Sequence, residues 1–428
     1  MNLSHSNMCL HPKVCRLWKG MVINMLNIGV LGYGTVGSGV VEVLNTNQES
    51  INKKAGNEIN IKYVLDLRDF PGDPIQEKIV HDYDVILNDP DVQIIVEVMG
   101  GVEPAYTFVK KALQAGKSVC TSNKELVAKH GAELLEIAKS KHINFLFEAS
   151  VGGGIPIIRP LNQSLTADEI EEITGILNGT TNYILTKMSK EGLAFDEVLK
   201  DAQDKGYAER NPEADVEGYD ACRKIAILSS LAFGMQVDYE DIYTEGITKI
   251  TDVDMKYAKA LNASIKLFGT SKKVNDEVFA MVSPMMISEE HPLAGVNDVF
   301  NGIFVSGNVL GDVMFYGRGA GKLPTASAVV ADVVDAAKHL GTNIMTIWSS
   351  KKLELSDIKK AKQKFFVRLS GDKNKNIAKV NELFGAVTDV EEVVAGEYAF
   401  ITGEIAEGEF AQKQTELTNM INRIRVGF

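Results

Sequence analysis

The feature that most constrains the fold is a glycine triplet, Gly32-x-Gly34-x-x-Gly37, placed directly after the apolar run 26–31. Apolar residues then recur at helical spacing, at Val36, Val40, Val41 and Leu44, so the sequence predicts a strand, a tight turn and a helix. In such a unit the glycines permit the turn, the approach of a pyrophosphate to the backbone, and the packing of helix on strand. We therefore expect a dinucleotide site at the helix start; a strand-to-helix turn without a ligand is the alternative.

Strands and helices continue to alternate through residue 147. Strands are predicted at residues 59–67, 94–98, 118–121 and 143–147, a helix is predicted to open with Pro104 in its first turn, and another covers residues 125–139. This alternation predicts an α/β fold with a doubly wound parallel sheet of the Rossmann type. Ligands of such sheets lie at the carboxyl ends of the strands.

The end of the second predicted strand carries both acids and an arginine, Asp66, Arg68 and Asp69. An acid at this point accepts a hydrogen bond from the 2′-hydroxyl of NAD, whereas an arginine can hold the 2′-phosphate of NADP. Arg68 favours NADP(H) over NAD(H), but a solvated loop arginine explains it equally well. The coenzyme preference therefore stays open.

Lys124 follows the strand 118–121 in the sequence Thr121-Ser122-Asn123-Lys124. At the carboxyl end of a strand its ammonium would point into the cofactor crevice. The alternative is a solvated lysine at a helix start. Because the helix dipole disfavours a cation there, a functional role is the better interpretation.

Two later segments combine glycine with small polar residues. Gly152, Gly153 and Gly154 leave carbonyl and N–H groups without side-chain cover, which suits a ligand or a monovalent cation as well as a hinge between domains. The predicted strand 173–177 runs into residues 178–182, Asn-Gly-Thr-Thr-Asn. These residues can cap a helix or present N–H groups to a carboxylate.

The segment richest in candidate chemistry is 202–224. Asp220 and Lys224 are four residues apart and so share one face of a predicted helix. A surface ion pair is the plain interpretation, but an apolar run follows Lys224 at once. Partial burial of the ammonium would lower its pKa toward the range useful for proton transfer. Together with Asp220, the nearby Glu209 and Asp215 would form an acidic pocket for a substrate ammonium.

Composition narrows the function classes. A chain of 428 residues with 45% apolar residues predicts two or three domains. The net charge of -12 argues against a nucleic-acid partner, which needs clustered lysine and arginine. No run of eighteen apolar residues occurs, so a membrane span is not expected. Four cysteines without a CxxC pair fit a reducing, cytoplasmic compartment, and a small-molecule substrate is the default.

The first 24 residues differ in composition from the rest. They contain Lys13, Arg16 and Lys19 and no acid. This weakly resembles a transit peptide, but a disordered leader at 1–24 before a domain that opens at Met25 is the better interpretation.

The segment 202–224 resembles the signature of the homoserine dehydrogenase family, in which Asn-Pro is followed by aspartate, an aliphatic residue, glycine, aspartate and lysine. The resemblance extends to the glycine triplet and to residues 121–124, 148–156 and 178–182. It also includes Gly317-Arg-Gly319-Ala-Gly321 with Pro324-Thr, so that it spans residues 26 to about 341.

The resemblance implies NAD(P)H-dependent, reversible reduction of L-aspartate 4-semialdehyde to L-homoserine, a step toward threonine, methionine and isoleucine. It implies an NAD(P)-binding Rossmann domain at 25–150, completed by 315–341. An inserted α+β substrate-binding and dimerisation domain would occupy 151–314, and the assembly would be a homodimer or homotetramer.

The resemblance also implies residue roles. Lys224 would donate the proton to the developing alkoxide, Lys124 would lie near nicotinamide and substrate, and Asp220 would orient both substrate and Lys224. The substrate amino group would be bound by Glu209, helped by Asp215, Thr180 and Tyr207. The coenzyme would be bound by Gly32, Gly34, Thr35, Val36, Gly37, Arg68, Ser122, Lys124 and Gly319. A sodium ion would be held by the backbone carbonyls of Glu148, Val151, Gly153 and Ile155.

The C-terminal part, 355–428, reads as a strand, a helix, two strands and a polar helical segment reaching Ile424. It resembles an ACT regulatory domain, whose order is βαββαβ. After Asp372, Lys373-Asn-Lys-Asn376 stands where that family has a Pro-Gly turn. A structural or dimer-forming role is therefore the alternative to amino-acid binding.

Two other function classes fit parts of the sequence. An aldehyde-oxidising semialdehyde dehydrogenase needs a nucleophilic cysteine with a base, for which Cys120 and Cys222 are the candidates after Met25. A catalytically silent amino-acid sensor would use the nucleotide fold as a scaffold, but it has no need of both Lys124 and Lys224.

Overall fold

The computed structural model describes residues 16–18, 21–23 and 25–428. The predicted leader at 1–24 lies outside the described residues, except that Arg16–Trp18 pairs antiparallel with Met21–Ile23. The described chain forms two compact units. One contains residues up to 123 with 134–147 and 325–344; the other contains 124–133, 148–324 and 345–428.

The helices are, in chain order, α1 (Thr35–Thr46), α2 (Gln48–Ala55), α3 (Tyr83–Leu87), α4 (Ala105–Gln114), α5 (Lys124–Ser140), α6 (Ile158–Gln163), α7 (Gly179–Glu191), α8 (Phe195–Asp204), α9 (Glu213–Val216), α10 (Tyr219–Phe233), α11 (Asp252–Ala260), α12 (Lys322–Lys338), α13 (Lys373–Phe384) and α14 (Glu407–Lys413). No described helix is long and apolar enough to cross a membrane.

The strands are, in chain order, β1 (Arg16–Trp18), β2 (Met21–Ile23), β3 (Met25–Leu31), β4 (Glu58–Leu65), β5 (Ile79–Val80), β6 (Val92–Glu97), β7 (Ser118–Thr121), β8 (Phe145–Leu146), β9 (Ile170–Ile176), β10 (Met235–Gln236), β11 (Tyr243–Thr244), β12 (Ala263–Val274), β13 (Glu277–Ser288), β14 (Phe300–Gly307), β15 (Gly311–Arg318), β16 (Ser349–Lys352), β17 (Lys362–Ser370), β18 (Thr388–Val390), β19 (Glu397–Ile401), β20 (Ile405–Ala406) and β21 (Met420–Val426).

The first unit is built on a parallel sheet with the strand order β5-β4-β3-β6-β7-β8. The predicted doubly wound Rossmann-type sheet is therefore confirmed. Its strand order reverses between β3 and β6, and in such sheets a ligand binds in the crevice outside the carboxyl ends at this point. The unit closes through its last segment, because the Asn144 side chain donates to the carbonyls of His339 and Thr342 at 3.1 and 3.0 Å.

The second unit is built on a mixed sheet with the path β15-β14-β9-β12-β13-β21-β17-β19-β18. Helix α10 is buried along most of its length, and its core face includes Ile225 and Leu228. The apolar run that follows Lys224 in the sequence therefore packs this helix into the unit. Strand β15 belongs to this sheet through its pairing with β14, so the return to the first unit begins at residue 325 rather than at the predicted 315.

The C-terminal segment has the chain order β17-α13-β18-β19-α14-β21, and its sheet order is β18-β19-β17-β21. The predicted helical segment reaching Ile424 is wrong at its end, because α14 stops at Lys413 and Met420–Val426 is a strand. That strand pairs with both β17 and β13, which places residues 355–428 in the second unit rather than apart from it. The relation to ACT domains stays a prediction.

The residues that replace the Pro-Gly turn begin helix α13. The Asp372 side chain caps the helix by accepting from the N–H of Lys375. The amide of Asn376 is buried and donates to the carbonyls of Ser370, Gly371 and Asp372 at 3.0–3.1 Å. This loop is therefore closed by a side chain of the chain itself.

Candidate active site

In the first unit, the glycine triplet forms the turn between β3 and α1. A Cβ on Gly37 would overlap the carbonyl oxygen of Gly32, whereas a Cβ on Gly34 would meet open space. Helix α1 starts at Thr35 and Val36 without a side-chain cap and without an acid in its first turn. Its first N–H groups are therefore available to an anion such as a pyrophosphate.

A cavity of about 600 Å³ lies against this turn. Its lining includes Gly32, Gly34, Asp66 and Arg68 together with residues 98–100, which follow β6. These are the carboxyl ends of the strands at which the sheet order reverses. The cavity thus lies where a dinucleotide binds in this class of sheet.

Asp66 and Arg68 form one paired group at the end of β4. The Arg68 guanidinium donates to both Asp66 oxygens at 3.0 Å, and the Tyr33 N–H donates to the same carboxylate at 2.9 Å. The hydrogen bonds from Arg68 hold the pKa of Asp66 well below its usual range. The Arg68 side chain is 62% exposed, so it can also reach a ligand phosphate. Asp69 lies beyond this pair, where its carboxylate accepts from Gln76 at 3.0 Å.

Sequence reasoning did not single out Glu97, which organises the neighbouring loops. Its buried carboxylate accepts from the Thr121 hydroxyl at 2.6 Å and from the Met99 N–H at 2.8 Å. Burial raises the pKa of Glu97. The Ser122 N–H donates to the Glu97 carbonyl at 3.3 Å, so the predicted coenzyme residue Ser122 is held in this arrangement. An acid within the otherwise apolar predicted strand 94–98 was the available signal.

In the second unit, Asp220 and Lys224 lie on α10 as the spacing predicted. The Lys224 ammonium donates to Asp220 Oδ2 and to the carbonyl of Leu177, both at 2.7 Å. Asp220 is 3% exposed and Lys224 is 9% exposed. Burial lowers the pKa of Lys224 despite the neighbouring carboxylate. The pair is therefore not a surface ion pair.

Lys124 joins the same carboxylate from helix α5. Its ammonium donates to the other oxygen, Asp220 Oδ1. Burial works against the charge of Lys124, but the carboxylate of Asp220 outweighs it and raises the lysine pKa. For Asp220 itself, burial favours the neutral acid, yet the two ammonium groups hold its pKa well below the usual range. One buried carboxylate thus separates two lysines of different acidity.

Asn178 connects this cluster to Asp215. Its side-chain N–H₂ donates to Asp220 Oδ2 at 2.8 Å and to Asp215 Oδ1 at 2.7 Å. Its oxygen accepts from the Thr181 N–H at 2.9 Å and caps α7. The capping role predicted for the segment is therefore present, and the link between the two carboxylates was missed. Burial raises the pKa of Asp215.

Of the other predicted substrate residues, Tyr207 and Glu209 lie on the loop after α8, and Thr180 lies in the first turn of α7. The Thr180 hydroxyl donates to the carbonyl of Tyr207 at 2.6 Å, and Gln203 donates to the carbonyl of Glu209 at 3.0 Å. Glu209 and Tyr207 are exposed. Among the described contacts, none joins the Glu209 carboxylate to Asp215 or Asp220. The predicted acidic pocket therefore consists of the buried Asp220, the half-buried Asp215 and the exposed Glu209.

The segment after β8 turns sharply at two glycines. Gly152 and Gly153 have φ of 72° and 54°, and the Ile155 N–H donates to the Gly152 carbonyl at 2.8 Å. The Glu148 carboxylate accepts from three consecutive N–H groups of residues 157–159 at 2.6–2.9 Å. Glu148 therefore fixes the turn with its side chain. The predicted cation residues Glu148, Val151, Gly153 and Ile155 fall in this turn.

Gly319 lies against a buried amide. A Cβ on Gly319 would overlap the side chain of Asn301, and a Cβ on Gly153 would overlap the Gly319 carbonyl. Within the described residues, neither polar atom of the Asn301 side chain has a hydrogen-bond partner. The glycine at 319 is required by this close packing.

The two cysteines considered as nucleophiles are both buried. Burial raises the pKa of Cys222, whose thiol donates to the Tyr239 carbonyl at 3.2 Å. A thiol nucleophile needs a lowered pKa and access, so the site does not favour the aldehyde-oxidising alternative. Two lysines around one carboxylate can instead stabilise a developing oxyanion and supply a proton.

Comparison with known proteins agrees with this chemistry. A family model described as the homoserine dehydrogenase NAD binding domain matches residues 32–148, and one described as homoserine dehydrogenase matches 156–334. Homoserine dehydrogenase of Bacillus subtilis strain 168 is 45% identical over 322 residues, covering 74% of this chain and 73% of that protein.

Two solved structures extend the comparison. A homoserine dehydrogenase from Thiobacillus denitrificans matches with a TM-score of 0.87 and 34% identity, covering 95% of this chain and 99% of that chain. A hyperthermophilic archaeal homoserine dehydrogenase in complex with NADPH matches with a TM-score of 0.63 and 29% identity, covering 73% and 97%. The chain therefore belongs to the homoserine dehydrogenase family, NAD(P)-dependent oxidoreductases that act on a CH–OH group.

Proposed function

We propose that Lys224, Lys124 and Asp220 carry out the reversible reduction of L-aspartate 4-semialdehyde to L-homoserine in this chain. The observation that carries the proposal is the buried carboxylate of Asp220, which binds both ammonium groups. An isolated carboxylate would not stay charged at this depth. The two lysines keep it charged, and it keeps them close together.

The proton chemistry follows from the different acidities of the lysines. A bound nicotinamide coenzyme supplies the hydride. Negative charge then develops on the carbonyl oxygen, and Lys224, whose pKa burial lowers, donates the proton that completes the alcohol. Lys124, whose pKa Asp220 raises, keeps its proton and stabilises the developing charge. In the reverse direction neutral Lys224 accepts the proton of the alcohol.

The substrate ammonium needs an anionic partner. Asp215 is fixed by Asn178 beside the catalytic carboxylate, and Glu209 lies on the loop that Thr180 anchors through the carbonyl of Tyr207. We assign the ammonium to Asp215 and Glu209, with Tyr207 on the same loop. The charge of a cation next to Asp215 would also stabilise the carboxylate and so oppose the rise in pKa that burial causes.

For the coenzyme, we propose a preference for NADP(H) over NAD(H). The support is the exposed Arg68 guanidinium at the end of β4, which can pair with a 2′-phosphate. Asp66 is already engaged by Arg68 and Tyr33, so it offers less to a 2′-hydroxyl. The direct test is the ratio of kcat/KM for NADPH and NADH; a ratio in favour of NADH would overturn the preference.

We also propose that the turn at residues 148–155 holds a sodium ion through main-chain carbonyls of Glu148, Val151, Gly153 and Ile155. The fit rests on the donor set, since carbonyl oxygens suit a hard cation and the two positive-φ glycines bend the chain around one point. Activity measured in sodium, potassium and choline chloride at equal ionic strength tests it. Equal rates in all three salts would count against it.

Two further proposals concern the oligomeric state and the role of the C-terminal residues 355–428. We propose a homodimer or homotetramer, to be measured by analytical ultracentrifugation. For the ACT-like tail, the closed loop at Asn376 supports a structural or dimer-forming role over amino-acid binding. Inhibition of the rate by added threonine would contradict that assignment.

The decisive test of the catalytic assignment is Lys224→Ala. Removal of a general acid is expected to lower kcat for NADPH-dependent reduction by more than about a hundredfold. Unchanged far-ultraviolet circular dichroism would show that the variant is folded. Near-normal turnover in a folded variant would exclude Lys224 as the proton donor.

A further inference from the structure

We propose that Glu245, held by two arginines of strand β21, is a positioning residue for the segment that carries Asp215 and Asp220. The proposal rests on the catalytic assignment of Asp220 made above. It links the C-terminal strand to the site through contacts that all lie within the second unit.

The first link is a charge cluster around the Glu245 carboxylate. Arg425 Nη1 and Arg423 Nη1 lie 2.7 and 2.9 Å from Glu245 Oε2, and the Tyr243 hydroxyl donates to the same oxygen at 3.1 Å. Arg425 is 1% exposed. Its guanidinium is also bound by Glu407, at 2.5 and 2.9 Å. Charge-assisted bonds of this kind fix both position and direction.

The second link is the backbone that follows Glu245. The Glu245 N–H donates to the Val282 carbonyl at 2.8 Å, so this residue is held by main chain as well as side chain. The Ile247 N–H donates to the Val216 carbonyl at 2.8 Å. Between them, a Cβ on Gly246 would overlap that same carbonyl. Residues 245–247 are therefore packed directly against the backbone at Val216.

The third link is the position of Val216 between the two carboxylates. Asp215 precedes it on α9, and Asp220 lies in the first turn of α10, which follows Gly218. Gly218 has φ of +85° and packs against Thr244 and Val282. A displacement of residues 245–247 would thus shift both carboxylates, and an error of about 1 Å in such positioning can cost about a hundredfold in rate.

The same region has a second attachment that does not involve Glu245. The Asn422 side chain donates to the Lys249 carbonyl and to Asp254 at 3.0 and 2.8 Å, and Arg368 pairs with Asp254 at 2.5 Å. Loss of the Glu245 charge therefore leaves the C-terminal strand attached. A change in rate can then be separated from loss of the fold.

The experiment compares Glu245→Gln with Glu407→Gln in the full-length chain. Both remove one carboxylate from Arg425, but only Glu245 continues into the backbone at Val216. We expect Glu245→Gln to lower kcat for reduction by about ten- to a hundredfold. It should also displace the pH midpoint of the rate, because the Lys224 ammonium faces Asp220, Lys124 and Asp215, and a shift of the two carboxylates changes the charges around it. We expect Glu407→Gln to keep kcat within about twofold, with wild-type KM values and an unchanged pH midpoint.

If Glu245→Gln does not fold, Arg423→Gln provides the test, because it removes one of the two cations that bind Glu245. We expect it to lower kcat by a smaller factor than Glu245→Gln. A wild-type kcat and pH profile in a folded Glu245→Gln or Arg423→Gln variant would overturn the proposal. So would an equal loss in Glu407→Gln. Lys224→Ala, measured in parallel, distinguishes failure of the catalytic assignment from failure of the positioning role of Glu245. If Lys224→Ala stays active, the catalytic assignment is wrong.

Discussion

The replacement Asp220→Asn tests the electrostatic core of the mechanism. The change preserves shape and removes one negative charge from between two ammonium groups, one of which is 2.7 Å away in Lys224. At an effective dielectric constant of about 20, two unit charges about 4 Å apart interact by about 4 kcal/mol. Because 1.4 kcal/mol is about tenfold in an equilibrium, the carboxylate favours the ammonium form of Lys224 by up to about a thousandfold.

This magnitude fixes the expected kinetics. Burial lowers the pKa of Lys224, so in the wild type reduction should fall as the pH rises through that lowered pKa, while oxidation of homoserine should rise. In Asp220→Asn the same fall should begin at lower pH, since the group that favoured the ammonium is gone. We expect kcat for reduction to drop by about 10²–10³-fold near neutral pH, with a smaller loss at acidic pH.

The assay is the initial rate of NADPH consumption with aspartate 4-semialdehyde across the pH range. Asp252→Asn is the matched control, because Asp252 forms the same i,i+4 pair with Lys256 at 3.0 Å on an exposed face, where such pairs contribute little. Removing one partner of a buried cluster also costs about 3–5 kcal/mol in stability, so thermal unfolding should be recorded. A folded Asp220→Asn enzyme with a wild-type rate and pH midpoint would refute the reasoning.

Two further predictions concern Gly319 and Arg68, which the sequence predicts to bind the coenzyme. Gly319→Ala should lose most of its activity and stability, because the new Cβ would overlap the Asn301 side chain. Adding Asn301→Ala to this variant should recover part of the stability, as measured by urea unfolding. No recovery would show that the overlap with Asn301 is not the cause of the loss. Arg68→Ala should raise KM for NADPH by about tenfold or more in steady-state kinetics and leave KM for NADH nearly unchanged, because only NADPH has a 2′-phosphate. Equal effects on both coenzymes would contradict the proposal that Arg68 binds this phosphate.

Much of the fold followed from local patterns. Alternating apolar segments predicted the parallel sheet, and the i,i+4 spacing predicted that Asp220 and Lys224 share a helix face. The C-terminal strand was mispredicted as helix because its residues, Met420–Val426, mix polar and apolar side chains whose charges are paired only in the folded unit. Tertiary partners decide such a segment, and local propensity does not reveal them.

Only part of the site could be predicted from the sequence, because some of its residues act through tertiary contacts. Sequence motifs indicated Lys124, which follows strand β7, and Asp220 and Lys224, which share a face of helix α10. Asn178 and Glu97 were missed as organisers, because their roles depend on contacts with residues 37–42 and 24 positions away in the chain. Long-range hydrogen bonds of this kind leave no periodic signal in a single sequence.

The first unit is assembled from separated stretches, and its last piece, residues 325–344, is made long after the rest. During synthesis the ribosome must produce ~180 further residues after β8, which takes about 10–40 s at roughly 5–20 residues per second. Until then the polar side chain of Asn144 lacks the carbonyls of His339 and Thr342. The hydrogen bonds that join Asn144 to the last piece of the first unit therefore form only after residues 148–324 of the second unit have been synthesised.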